Sequence, residues 1–178
     1  RLRLAVAALL LCSAAAHAAP VPLRLIGIND FHGNLESAGL SLALPDPDDA
    51  SKSVRVPTGG AAALAGLVNA LRSGAPNSLV LSAGDLVGAS PLASSLFRHE
   101  STIEVMNRMG LDANAVGNDE FDAGITELKR LRDGGCAEHS AASPATSCAI
   151  GAYEGAKFPL LAANVLDGLA TLSSSSAT

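Results

Sequence analysis

A chain of 178 residues is long enough for one domain and short for two. Its formal charge of −5, its 3% aromatic content and its lack of tryptophan exclude the basic surface and stacking platforms of a nucleic-acid binder. Hydrophobic residues make up 48% of the chain, and much of that excess sits at its start.

The opening stretch, RLRLAVAALLLCSAAAHAAP, has a basic beginning (Arg1, Arg3), an apolar run and then small residues. Ala16-His17-Ala18 fits the small-x-small cleavage pattern, so residues 1–18 are expected to form a secretory signal peptide. The apolar run is too short to span a bilayer, which argues against a stable membrane anchor. Cys12 precedes the cut without a Gly or Ala before it, unlike a lipoprotein anchor. Loss of Arg1 and Arg3 would take the charge from −5 to −7. The expected location is periplasmic or secreted.

Residues 23–28 alternate and are rich in branched side chains, which predicts a strand running into NDFHGN. Residues 40–59 carry Pro45, Pro47, Pro57 and the acids Asp46, Asp48 and Asp49, and read as an exposed loop. Those acids lack the central Gly and terminal Glu of an EF-hand, so a solvated turn is expected there. From Gly60, Leu64, Leu67, Val68 and Leu71 fall at helical spacing, and Gly74 stops the helix. Ser78 to Ser82 forms a second strand ending in Gly84-Asp85. Ser101 and Glu104 have the spacing of a capping box for a helix ending at Gly110. ANAVGND reads as a third strand. The next helix turns Ile125, Leu128 and Leu131 inward, with Glu127 early and Lys129, Arg130 and Arg132 late, as the helix dipole favours. A fourth strand covers residues 160–165, and the serine-rich tail has no periodicity. Strands alternating with helices predict an α/β fold with a largely parallel sheet.

Two cysteines follow the leader, Cys136 and Cys148. In an oxidising compartment such a pair is most simply a disulfide, worth about 3 kcal/mol by chain entropy. A metal knuckle of Cys136, His139 and Cys148 is the other reading, although it lacks a fourth ligand.

Three predicted strands run directly into polar residues able to bind metal: Asp30 and His32, then Asp85, then Asn118. Ligands of open α/β sheets gather beyond the carboxyl ends of the strands, so these four are expected to converge. Gly84 and Gly117 each precede one of them, where the backbone must turn tightly. Carboxylate, imidazole and amide together suit Mn, Fe, Co or Zn better than Ca. Taken singly, each of these residues could equally be a turn residue or a surface side chain. A serine hydrolase finds no Gly-x-Ser-x-Gly elbow in the chain.

The blocks LIGINDFHGNLE, GGAAALAGLVNAL, LVLSAGDLVGASPL and NAVGNDEFDAGITEL resemble, in order and spacing, the bacterial 5′-nucleotidase family. The resemblance covers residues 23–167. It implies the first half of a calcineurin-like metallophosphoesterase α/β sandwich, with residues 19–178 forming its amino-terminal part and the carboxy-terminal 5′-nucleotidase domain absent. It implies hydrolysis of nucleoside 5′-monophosphates or related small phosphoesters, in nucleotide catabolism, by water activated between two divalent ions (Mn, Zn, Co or Fe). Asp30 and His32 would hold one ion, Asp85 would bridge both, and Asn118 would hold the second. The cysteine-bracketed loop also resembles secreted members. The family reads Gly-Asn-His-Glu where this chain reads Gly117-Asn118-Asp119-Glu120. Asp119 thus takes the catalytic position of the family's proton-donating His, and Asp122 that of its supporting acid. An ionised Asp accepts hydrogen bonds only and repels phosphate. Asp122 is also placed to cap the helix beginning near Ala123. The family's later Gly-His-x-His ligands have no counterpart in these residues. A non-catalytic metal- or phosphate-binding remnant, or an inactive fragment, is therefore the alternative expectation.

Overall fold

The computed structural model describes residues 20–138, 145–167 and 170–172, with Asp167 and the last three as backbone only. The expected signal peptide, His139 and the serine tail lie outside the described residues.

The elements are β1 (Arg24–Ile28), β2 (Ser41–Pro45), β3 (Ser53–Pro57), α1 (Gly60–Ser73), β4 (Ser78–Ser82), a short α2 (Leu92–Ser95), α3 (Glu100–Met109), β5 (Ala113–Ala115), a 3-10 turn (Asp119–Phe121), α4 (Ile125–Asp133), β6 (Leu160–Asp167) and β7 (Ala170–Leu172). The main sheet runs β1-β4-β5-β6-β7. Its first three pairings are parallel and the last is antiparallel. The parallel strands step across the sheet in one direction. Right-handed crossovers then place their helices on a single face.

Register shows which face that is. Ile26 pairs with Val80, Ile28 with Ser82, Ser82 with Asn114, and Asn114 with Leu160. Ile26, Val80, Ser82, Asn114 and Leu160 are buried there beneath Val68 of α1, Ile103 and Met106 of α3, and Leu128 and Leu131 of α4. The alternate residues form the opposite face, where Leu25, Leu79 and Leu161 are exposed. Asn114 is fully buried, and among the described residues neither end of its amide has a hydrogen-bond partner.

Three local expectations are corrected. Residues 40–59 are not a loop, because β2 and β3 form an antiparallel hairpin from Ser41↔Pro57 to Pro45↔Ser53. The aspartates fill its turn: Asp46 accepts the amide of Asp48, and Asp49 accepts that of Ser51. The Ser101/Glu104 capping box does not form. Helix α3 starts at Glu100 after His99 in the left-handed region (φ 62°), and Glu104 pairs with Arg108. Asp122 does not cap α4, which starts two residues later than expected behind Gly124.

The disulfide Cys136–Cys148 is formed, with a Cα separation of 5.5 Å. Both sulfurs are used, which rules out the metal knuckle. The loop is tied to α3 through Glu100, whose carboxylate accepts the Cys148 amide (2.8 Å), the Ser147 hydroxyl (2.6 Å) and Arg130 (2.7 Å).

Candidate metal centre

β1 and β4 are parallel neighbours in register, so their carboxyl ends lie side by side and the loops that follow them meet. Backbone bonds lock those loops together: the amide of Asp30 donates to Gly84 O, that of His32 to Asp85 O, and that of Gly33 to Leu86 O. One ligand atom from each of Asp30, His32 and Asp85 falls within 4.8 Å of the others. All three residues have positive φ, 51°, 46° and 52° respectively. Non-glycine residues held in this region store strain of about 1–3 kcal/mol each, and such strain clusters at functional sites.

Glycines make the close approach possible. A Cβ on Gly117 would lie 2.2 Å from Asp85 Oδ1, and one on Gly84 would lie 2.7 Å from the Gly117 nitrogen. The loops after β4 and β5 are thus packed backbone to backbone. Glu120 fastens them. Its carboxylate is 4% exposed and accepts three amides: Leu86 (2.7 Å), Gly117 (2.7 Å) and Asp85 (3.0 Å). Sequence reasoning assigned Glu120 no such role. The available signal was a Glu three residues beyond a strand-end Gly, but the neighbouring acids obscured it.

The remaining expected site residues are spread around this centre. Asn118 is exposed and its amide donates to Asp119 Oδ1. Asp119 turns inward: its amide donates to Asp85 Oδ1 (3.0 Å), and its Oδ2 lies 3.3 Å from His32 Nδ1. The same nitrogen lies 3.1 Å from Gly88 O. The other ring nitrogen of His32 faces Asp30 Oδ1 at 3.8 Å. Asp122 is exposed and close enough to His99 to act on it electrostatically. Burial lowers the His99 pKa despite Glu127 and Asp122 nearby. His99 also meets the buried Ser94 hydroxyl at 3.2 Å. Ser94 in turn occupies the space that a side chain at Gly33 would need.

Beside the cluster a cleft of about 680 Å³ opens between the hairpin and α1. Asp30 lines it together with Ile28, Phe31, Leu44, Val56 and Leu64. Its volume is that of a small-molecule pocket and its wall is mostly apolar.

Donor chemistry fits a divalent transition metal. Two carboxylates and one imidazole, on loops over-determined by backbone bonds and strained in place, are the residue types such ions select. Among the described residues no helix is long and apolar enough to cross a membrane.

No family model matches the chain. An Acinetobacter calcoaceticus protein known as the uncharacterised protein in the pqq-V 5′ region is 49% identical over 80% of this chain and 69% of its own length. A probable 5′-nucleotidase of Treponema pallidum is 42% identical over 61% of this chain. The solved NAD nucleotidase of Haemophilus influenzae superposes on 84% of this chain with a TM-score of 0.57 and 29% identity. The chain spans only 17% of the Treponema protein and 24% of the Haemophilus one. On this fold and these relatives, the chain belongs to the 5′-nucleotidase family.

Proposed function

We propose that the chain is the amino-terminal part of an exported, metal-dependent phosphoester hydrolase acting on nucleoside 5′-monophosphates or related small phosphoesters. The observation that carries this is the convergence of Asp30, His32 and Asp85 on two adjacent strand ends, each held at positive φ. A divalent ion bound there supplies Lewis-acid charge for the phosphoryl oxygens and lowers the pKa of a water. Asp30 and His32 hold it from the β1 side and Asp85 from the β4 side. Asn118, next to Gly117, is assigned to a second ion. Glu120 keeps the two loops at fixed separation. The apolar cleft bordering Asp30 receives the organic part of the ester and keeps bulk water from that side.

Support comes from relatives named as 5′-nucleotidases and from the mixed donor set. The apolar leader and the disulfide support export. The test is Zn(II) and Mn(II) binding by the metal-free chain, followed by release of phosphate from AMP and p-nitrophenyl phosphate. Tight binding that Asp85→Asn and His32→Ala each abolish is expected. A parent chain that binds neither ion refutes the proposal.

Asp119 favours a second reading, a metal-binding domain without turnover. It sets an acid where a proton donor is required, and loss of such a donor costs on the order of 10²–10⁴ in rate. Metal binding without phosphate release, reversed by Asp119→His, would support it.

A further inference from the structure

We propose that Asp119 is a positioning residue for His32, fixing which ring nitrogen faces the metal. The inference rests on the reading of Asp30, His32 and Asp85 as metal ligands. It assigns Asp119 a role opposite in kind to the donor it replaces, because it acts on the protein's own imidazole and not on substrate.

Two acceptor oxygens face Nδ1 of the His32 ring: Gly88 O is hydrogen-bonded to it at 3.1 Å, and the Asp119 carboxylate lies beside it as an ion-pair contact, Oδ2 at 3.3 Å. A carbonyl oxygen cannot donate, and a carboxylate only accepts. Nδ1 therefore carries the proton, donated to Gly88 O, with the Asp119 carboxylate next to it favouring a proton on that nitrogen. Nε2 is left as the nitrogen with a free lone pair, on the Asp30 side of the ring. A metal-binding histidine is ordinarily oriented by a carboxylate or carbonyl at its second nitrogen. Here both acceptors are present.

Asp119 is itself held firmly. Its amide donates to Asp85 Oδ1 (3.0 Å), and the Asn118 side chain donates to its Oδ1. Only glycine fits at position 88, where a Cβ would lie 2.6 Å from the Asp119 Cβ. Asp119 thus touches one ligand from each strand, His32 after β1 and Asp85 after β4. Its side chain is 19% exposed, so little of its charge is spent on solvent. The charge that repels phosphate here strengthens the hold on a cation.

The experiment uses the whole chain with two readouts. The first needs no metal: the proton and nitrogen shifts of His32 Nδ1–H, assigned by loss of the signal in His32→Gln. The second is Zn(II) affinity by competition with a chelating dye. In Asp119→Asn, which keeps size and an acceptor oxygen, the Nδ1–H resonance should move upfield and Zn(II) affinity should fall. Asp119→Ala should lower affinity about 10–100-fold, the usual effect of removing such a partner. An unmoved resonance and affinities within twofold of the parent overturn the proposal. Weakened affinity with an unmoved resonance also overturns it, since Asp119 would then act through Asp85 or as a ligand. A parent chain that binds no Zn(II) refutes the metal reading, while the metal-free resonance still decides the role of Asp119.

Discussion

Glu120 allows a worked test of how the site is held. Its buried carboxylate accepts from Leu86 through Oε1 and from Asp85 and Gly117 through Oε2. Glu120→Gln preserves shape but replaces one oxygen with a donor. With its amide nitrogen toward Leu86, one bond is lost and two donors face each other; the reverse orientation loses two bonds. A hydrogen bond to a charged group contributes about 1.5–3 kcal/mol, and a buried unpaired donor costs ~1–3 kcal/mol. The expected destabilisation by Gln is therefore about 2–4 kcal/mol. Glu120→Ala leaves all three donors unpaired, for a loss of ~3–9 kcal/mol against a typical domain stability of ~5–15 kcal/mol. Urea unfolding followed by far-UV circular dichroism measures both variants. Gln should fold with a lower midpoint and weaker Zn(II) affinity, and Ala should lie near the edge of unfolding. If Glu120→Gln stays within about 0.5 kcal/mol of the parent, in the range of ordinary surface changes, the fastening role is wrong.

Asn114→Leu replaces a buried amide without partners by an apolar group of similar volume, and should raise stability by about 1–2 kcal/mol in the same assay. Burial favours neutral His99 in the folded chain, so the unfolded chain takes up the proton first. That part of the stability is present above about pH 6.5 and is lost as pH falls through the lowered folded value; urea midpoints measured across this range should flatten in His99→Gln. Reduction of Cys136–Cys148 should cost about 3 kcal/mol and raise hydrogen exchange at the Cys148 amide, which the bond keeps beside Glu100.

Much of the fold could be read from periodicity. β4 lies where the apolar run places it, and the leucine spacing of α1 matches its extent. The hairpin was hidden because its prolines and aspartates carry loop composition. Pro45 and Pro57 sit at strand ends, where a missing N–H costs little, and the aspartates occupy the turn between. The capping box misled because an i,i+3 pair within the first turn looks the same as one that starts a helix. Position 99 begins α3 through its backbone conformation, which a histidine does not advertise. At the site, the rule that ligands gather at strand ends brings Asp30, His32 and Asp85 to one place. The contacts of Glu120 and Asp119 depend on how two loops pack, and no linear spacing encodes that.

The register of the sheet also determines when the candidate metal centre comes into being. Arg24 must find Ser78 before the loops after β1 and β4 can meet, and Ser82 must find Asn114 before the loop after β5 joins them. Pairings so distant in sequence form slowly, because chain entropy is lost before contacts return it. A cation that recognises only the assembled loops therefore stabilises the native state without lowering the barrier to reach it. Its signature should be kinetic: added metal slows unfolding and leaves the refolding rate unchanged.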